Sequence, residues 1–509
     1  MKKKNTLTIR LSTEDNVVVA ISDLQAGTAI EEDDTVTRND VPAGHKVATC
    51  LIEKGQHLTK YGQIIGVATR DIQAGEHVHT HNVDMSEFNR DYDIGSDAKS
   101  TDYLPDSEKA TFNGIVRDDG QVATRNYIGV LPSVACSASV CRYIADAFTD
   151  EILAAYPNVD GVVGLTQTSG CGGPAYGEGF EILQRSLAGY ARHPNFWGVL
   201  FVGLGCEVNQ LELMFANTGL ETSDKLRAFT IQQKGGTEQT IRRGVDMIKE
   251  MLPQADAVKR QPVSAANLVL GLECGGSDAY SGITANPALG VAADWVVRNG
   301  GTVILSETTE IYGAEHLLIQ RANSQEVGHK LIDLIQWWEK YTARHGAVIN
   351  NNPTPGNKAG GLTTILEKSL GAVAKAGSTR LMEVYRYAET VREKGLVFMD
   401  TPGYDLASIT GMIAGGANII CFTTGCGTVL GCKPTPVIKL ASNTDMFQNL
   451  SGDMDINCGL IVQGRKTQAE IGAAIFQSIL DTASGQKTKS EAFKFGDNEF
   501  VPWHIGAVV

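Results

Sequence analysis

A chain of 509 residues that is 42% hydrophobic and 20% charged, with 55 glycines, has the make-up of a soluble globular protein of about three domains and excludes fibrous and disordered classes. A net charge of -14, spread without a basic block, argues against a nucleic-acid partner, and no apolar run is long enough to span a bilayer, so no membrane partner is expected either. The first residues, MKKKNTLTIRLSTEDN, lack the apolar core of a secretory signal, so a cytoplasmic protein with its ten cysteines as reduced thiols is expected.

Residues 1–83 read as a small all-β module, with TLTIRL, NVVVAI, KVATCLI, IIGVATR and EHVHTHN separated by glycine turns. Strand alternation in EHVHTHN places His77, His79 and His81 on one face, where they could hold a divalent metal or line a solvated edge strand. Residues 84–111 are acidic, poor in aliphatic side chains and aperiodic, which predicts a linker long enough to let the module swing or reach a neighbouring subunit.

Residues 112–252 alternate apolar runs (YIGVLPSV, GVVGL, WGVLFVGLG) with amphipathic stretches at 140–156, 177–192 and 237–251, the pattern of a parallel α/β domain. Cys136, Cys171 and Cys206 follow strand ends beside glycine or small residues. Ligands of open parallel sheets gather there; equally, a free cysteine often packs as a small hydrophobe. A Pro-containing break at 252–267 precedes a second α/β domain, 267–509, with strands NLVLGLE, TVILSE, RLMEVY, GLVFMD, NIICFTTG, PVIKLAS and GLIVQG.

Within it, LECGGSDAYSGITANPALG joins a buried strand to a helix beginning near Pro287. Its glycines allow close backbone approach, while Glu273, Cys274, Ser277, Asp278 and Asn286 offer ligating or proton-handling groups; a capped strand-to-helix turn would look the same. TVILSE stops at Glu307 and LVFMD at Asp400. NNPTPGNKAGG, 351–361, is too polar and glycine-rich for regular structure and carries Lys358, either a carboxylate binder or base, or an ordinary surface lysine. GCGTVLG lacks the lysine–hydroxyl pair of a P-loop, and no GxGxxG follows a strand, so a nucleotide enzyme is excluded.

PAGHKVA, KYGQIIG, GVVGL, GLGCE, LECGGSDAYSGITANPALG, TPGNKAGG, FTTGCGT and DMDINCG together resemble the altronate/galactarate dehydratase family. The resemblance implies an N-terminal SAF-like β-clip, a linker, a middle domain associated with dimerisation, and a C-terminal Rossmann-like parallel-sheet domain. It also implies a hydro-lyase that removes water from a 2,3-dihydroxy sugar acid to give a 2-keto-3-deoxy acid, working as a homodimer with Fe2+, or alternatively Mn2+. On that reading Glu273 and Cys274, with Glu307 and Asp278 as further candidates, contact the metal. Lys358, Asp278, His79 and His81 handle protons, and Ser277, Asn286, Asn357 and Lys358 bind substrate. Gln167 stands where family members often have a histidine, and Cys426 where the family's loop has an arginine, the natural fork for a second carboxylate. A mono-acid is therefore expected over a diacid. The alternatives are a sulfolactate-type carbon–sulfur lyase, an iron–sulfur cluster held by Cys136, Cys171, Cys206 and Cys274, and a sugar-acid-binding protein that has lost catalysis.

Overall fold

The computed structural model describes residues 7–85 and 92–506. In the first segment a four-stranded antiparallel sheet is ordered Thr8–Ile9, Val17–Ala20, Lys46–Ala48, His77–Val78. A second sheet is ordered His57–Lys60, Gln63–Ala68, Val83–Asp84. The EHVHTHN strand is shorter than its alternation predicts. It keeps two residues and then turns, because the Asn82 side chain accepts from His79 N and donates to His77 O.

The module does not swing. Ile52, Leu58 and Ile65 share one hydrophobic cluster with Leu370 and Val373 of the C-terminal domain, and each such buried aliphatic side chain contributes roughly 1.5–3 kcal/mol. Lys46 and Lys60 both reach Glu367 of that domain, at 2.8 Å each, with all three side chains 0–1% exposed. Gly361, at φ +98°, allows the two backbones to meet; a Cβ there would lie 2.5 Å from Gly44 O. The described part of the linker is likewise fixed. Asp97 N donates to Gln320 O, Leu104 N to Arg298 O, and Tyr92 Oη to Glu315.

The middle region holds a four-stranded parallel sheet ordered Gly161–Gly164, Tyr127–Pro132, Phe196–Gly203, Leu226–Thr230. The expected break at 252–267 is not structureless. The Thr237–Asp256 helix continues through Pro253, and Arg260–Ser264 is a strand paired antiparallel with Thr111–Val116, which itself begins where the linker was expected to end.

The C-terminal domain is built on a seven-stranded parallel sheet. Its order is Leu381–Tyr385, Gly395–Met399, Thr302–Leu305, Val269–Cys274, Ile419–Thr424, Val437–Ala441, Ile456–Asn457. Six strands fall on the predicted apolar runs. The seventh does not, because GLIVQG forms turns, and its place is taken by Ile456–Asn457. The helix after the glycine loop starts at Ala285, two residues earlier than expected. NNPTPGNKAGG is also more ordered than its composition predicts. Thr354 and Asn357 form a capping box that sets a one-turn helix, Pro355–Ala359, and Lys358 rides on it. The chain is a multidomain α/β protein with an N-terminal β module. Among the described residues no helix is long and apolar enough to cross a membrane.

Candidate active site

Two compact groups of potential ligands flank the loop that runs from Gly275 to Thr284. The first lies on the β module, facing the one-turn helix. His45, His77 and His79 each place a ligating atom within 4.8 Å of the others'. His45 and His77 are 2.9 Å apart through Nδ1 and Nε2, and the His45 and His79 ring centroids are 4.6 Å apart. His45 Nε2 lies 3.1 Å from Ala359 O, which accepts only, so Nε2 carries the proton and the Nδ1 lone pair turns toward His77. This is the arrangement in which a backbone carbonyl fixes the tautomer of a ligating imidazole.

Burial lowers the pKa of all three: with Lys46 and the other imidazoles adding to it, His77 falls to about 4 and His79 to about 3, while for His45 burial outweighs the Ala359 carbonyl and nearby carboxylates and brings it below the usual imidazole range. At neutral pH the group is three uncharged imidazoles, and His79 Nδ1 is buried without a partner. Such a donor set fits a divalent transition metal. His81 stands at the exposed rim, 5.3 Å between ring centroids from His77. The triad is therefore His45, His77 and His79, and not His77, His79 and His81 as strand alternation predicts. PAGHKVA carried the missing member.

The second group sits at the carboxyl ends of the Val269–Cys274 and Thr302–Leu305 strands. Glu307, at φ +66°, accepts on Oε2 from Cys274 N at 3.0 Å and from Lys375 Nζ at 2.7 Å. Lys375 Nζ is also 2.7 Å from Cys274 Sγ. Glu310 accepts from Lys368 at 2.8 Å and from Asn352. Glu273 takes Ser408 Oγ at 2.7 Å, leaving its Oε1 and that of Glu307 buried without partners.

Burial and the charge of Glu307 hold the Glu273 carboxyl well above the usual range, and push Asp405 up to about 7. Burial raises the Cys274 thiol as well. Burial would lower Lys375, but Cys274 and Glu307 outweigh it and the ammonium is kept. Glu307 and Glu310 thus each face one lysine, while burial shifts the Glu273 carboxyl and the Cys274 thiol toward their protonated forms. The group is balanced by ammonium ions that already occupy a cation's place. Glu273, Cys274 and Glu307 do come together as the sequence predicts; Glu310, Lys368, Lys375 and Asp405 are their unpredicted neighbours.

Between the groups lies Asp278. Its Oδ1 accepts from Ser281 N and Oγ and Ser442 Oγ, and its Oδ2 from Asn443 Nδ2. These bonds tie the glycine loop to Ser442 and Asn443, so Asp278 is an organiser of the loop and not a free base or ligand. Gly276, at φ +59°, lets Gly425 N and Cys426 N reach its carbonyl, which sets Cys426 beside the loop.

The expected substrate-binding residues divide. Asn357 spends its side chain on Thr354 N and Ser277 O, Ser277 is buried, and Asn286 donates to Gly371 O inside the helix. Only Asn357 is fully committed to backbone groups of the loops it joins; Asn286 keeps a buried Oδ1 without a partner among the described residues. Lys358 is half-buried, its ammonium makes no hydrogen bond or ion pair with a described residue, and it immediately precedes the carbonyl that meets His45. Cys136, Cys171 and Cys206 are exposed on the middle domain, whereas Cys274 is buried in the C-terminal one. None of the three belongs to a compact donor group among the described residues, so the four thiols do not form one cage. Gln167 Oε1 accepts from Ser169 N and Oγ and shapes the turn before Cys171.

Comparison with known proteins agrees with this architecture. Residues 6–86 match the altronate/galactarate dehydratase SAF domain, 114–256 the second domain of D-galactarate dehydratase/altronate hydrolase, and 265–508 the D-galactarate/altronate dehydratase C-terminal domain. The chain is 35% identical to an altronate dehydratase of Bacillus subtilis (strain 168) over 490 residues, covering 96% of this chain and 97% of the relative. The chain belongs to the altronate/galactarate dehydratase family. A galactarate dehydratase (L-threo-forming) of Escherichia coli (strain K12) is 36% identical over 94% of this chain and 93% of its own length. The beta subunit of a (2R)-sulfolactate sulfo-lyase of Chromohalobacter salexigens is 31% identical over 77% of this chain and 96% of its own. Family membership makes the chain an enzyme of the hydro-lyase type.

Proposed function

We propose that the enzyme removes water from a 2,3-dihydroxy sugar acid of the aldonate type and releases a 2-keto-3-deoxy acid, with Fe2+ or Mn2+ held by His45, His77 and His79. The observation that carries this is the set of three neutral imidazoles, one oriented by the carbonyl of Ala359, next in the chain to Lys358, whose ammonium pairs with no described residue. A proton next to a carboxylate is only weakly acidic. A divalent ion on the substrate carboxylate supplies the charge that stabilises the ene-diolate.

The chain's own residues supply the rest. Lys358 binds the carboxylate or takes the α-proton, and His81, at the rim, meets the departing hydroxyl. Docking through Glu367 keeps the imidazoles against the short helix and excludes water between module and domain. Cys426 cannot make the bidentate bond of an arginine, which supports a mono-acid over a diacid substrate. We further place the protein in the cytoplasm as a homodimer formed through the middle domain, a state that light scattering would read directly.

The test is a screen of aldonates and aldarates with anaerobic Fe2+, reading the keto product as its semicarbazone. Product from an aldonate supports the proposal. Sulfite release from sulfolactate would move it to carbon–sulfur cleavage, and thermal stabilisation by an acid without turnover would make the chain a binding protein.

A further inference from the structure

We propose that Cys274 and Lys375 form a redox-reversible covalent bridge in which a single oxygen atom joins Sγ to Nζ. The two atoms lie 2.7 Å apart. Other sulfur contacts in the same molecule set the ordinary scale: Gln232 Nε2 to Cys206 Sγ is 3.4 Å, Asn209 Nδ2 to the Met214 sulfur 3.8 Å, and Cys274 Sγ itself lies 3.4 and 3.5 Å from Glu307 and Glu310. The lysine contact is shorter than all of these by more than half an ångström. It is also too long for a direct bond, since even a sulfur–sulfur bond is only about 2.05 Å. One interposed oxygen, singly bonded to both atoms, spans a gap of this size.

The surroundings hold the pair in place. Cys274 ends a central strand, and Lys375 sits in the 3-10 turn Ala374–Ala376 that follows the Ile365–Val373 helix. Both side chains are 0–1% exposed, so neither can turn away into solvent. Glu307 Oε2 accepts from Lys375 Nζ at 2.7 Å, from Cys274 Sγ at 3.4 Å and from the Cys274 backbone N at 3.0 Å, gathering the nitrogen and the sulfur about one carboxylate oxygen. A Ser or Thr hydroxyl at such a distance would have only a hydrogen bond to form. A thiol beside an amine has an oxidative route as well.

The oxidant is dioxygen, and the balance closes: thiol, ammonium and O2 give the S–O–N bridge, one water and one released proton. The S–H bond and two N–H bonds are lost, and the new S–O and O–N bonds form. The four electrons removed from sulfur and nitrogen reduce the O2, one oxygen leaving as water and the other remaining in the bridge. Two equivalents of a dithiol such as dithiothreitol, each closing to its disulfide and giving up two electrons and two protons, restore the thiol and amine and release the bridging oxygen as water. In the bridged form the lysine charge disappears, so Glu307 loses its counter-ion, and the base of the Gly275–Thr284 loop is tied to the segment that carries Glu367.

Peptide mass mapping of the whole wild-type enzyme, air-exposed and anaerobic, tests the bridge without reference to the proposed reaction. Trypsin is expected to release 261–298 joined to 369–380, uncut after Lys375, the pair about 14 Da heavier than its reduced parts because one oxygen is gained and two hydrogens are lost. Dithiothreitol should separate them, and Cys274→Ser should never yield them. The exposed Cys136, Cys171 and Cys206 serve as internal controls for ordinary thiol oxidation. The proposal is overturned if air-exposed protein yields only separate peptides, if Cys274 gains oxygen without joining Lys375, or if a joined species resists dithiothreitol as an amide would.

Discussion

The histidine group and the carboxylate–thiol–lysine group are both buried clusters of good ligands, and they differ in what already fills them. His45, His77 and His79 are neutral and carry an orphaned nitrogen, while Glu307 and Glu310 are each matched by a lysine and burial shifts Glu273 and Cys274 toward their protonated forms. A set of lone pairs without protons is ready for a cation. A set already neutralised by two ammonium ions has no electrostatic need of one. The groups also differ in origin: the first is built wholly on the β module, where it faces the Ala359 carbonyl of the C-terminal domain, and the second lies within one domain.

The strongest way to separate them is Glu367→Gln. Removing the carboxylate leaves Lys46 and Lys60 facing each other in a dry interface, and breaking a buried pair in this way costs about 3–5 kcal/mol. Urea titration should show that loss. Limited proteolysis should release the module, and metal binding should fall with it while Lys375 and Glu307 remain paired. A variant that keeps both docking and metal would show that the apolar contacts of Ile52, Leu58 and Ile65 are sufficient alone. The next largest effect is expected from His79→Ala: loss of a direct ligand should lower metal affinity and turnover by more than the roughly 10–100-fold that follows loss of an outer-shell partner. Calorimetric titration with Fe2+ or Mn2+ reads the first and keto-acid production the second.

The two clusters were unequally legible in the sequence. Strand ends in a parallel sheet are places where side chains converge, so Glu273, Cys274 and Glu307 could be found from apolar runs that stop at a polar residue. Their cations could not, because Lys368 and Lys375 lie on a helix and a turn about a hundred residues away, with no local pattern to mark them. The histidines were visible through alternation, which named the right strand and the wrong third member. Alternation assumes a strand that continues, and here it ends after Val78 and the turn at Asn82 brings His79 back under His45. His45 immediately precedes a different strand, Lys46–Ala48, and the antiparallel pairing of Val47 with His77 carries the two together. Likewise, the polar loop residues Asp278 and Asn357 have the right types for substrate contacts, yet packing spends Asp278 on Ser281, Ser442 and Asn443 and Asn357 on the backbone.

Acid should sharpen the same contrast. His77 and His79 titrate near 4 and 3 in the folded protein, against 6.5 for an ordinary imidazole. Between those values the unfolded chain binds more protons than the folded one, so stability of the metal-free enzyme is full above pH 6.5 and declines as pH falls through 4 to about 3. Metal binding weakens in the same direction, because protons compete for the same nitrogens. Thermal unfolding of the metal-free protein from pH 8 to 4 should show the decline, and His77→Ala should make it shallower. An unchanged slope in that variant would mean that carboxylates, not the triad, govern the acid limb.

The smallest expected effect is the most exposed to refutation. Glu273 is held in its neutral form by burial and by Glu307, and its one bonded oxygen accepts from Ser408. Glutamine has nearly the same shape and can accept the same bond, so Glu273→Gln should shift stability by no more than about 0.5–1 kcal/mol and leave metal content and turnover close to wild type. The reasoning depends on the carboxyl having a proton to begin with. If the ion instead lay among Glu273, Glu307 and Asp405, the substitution would remove a charged ligand. Metal content would then fall while Glu367→Gln left it unchanged, and the metal would have to be reassigned to the buried cluster.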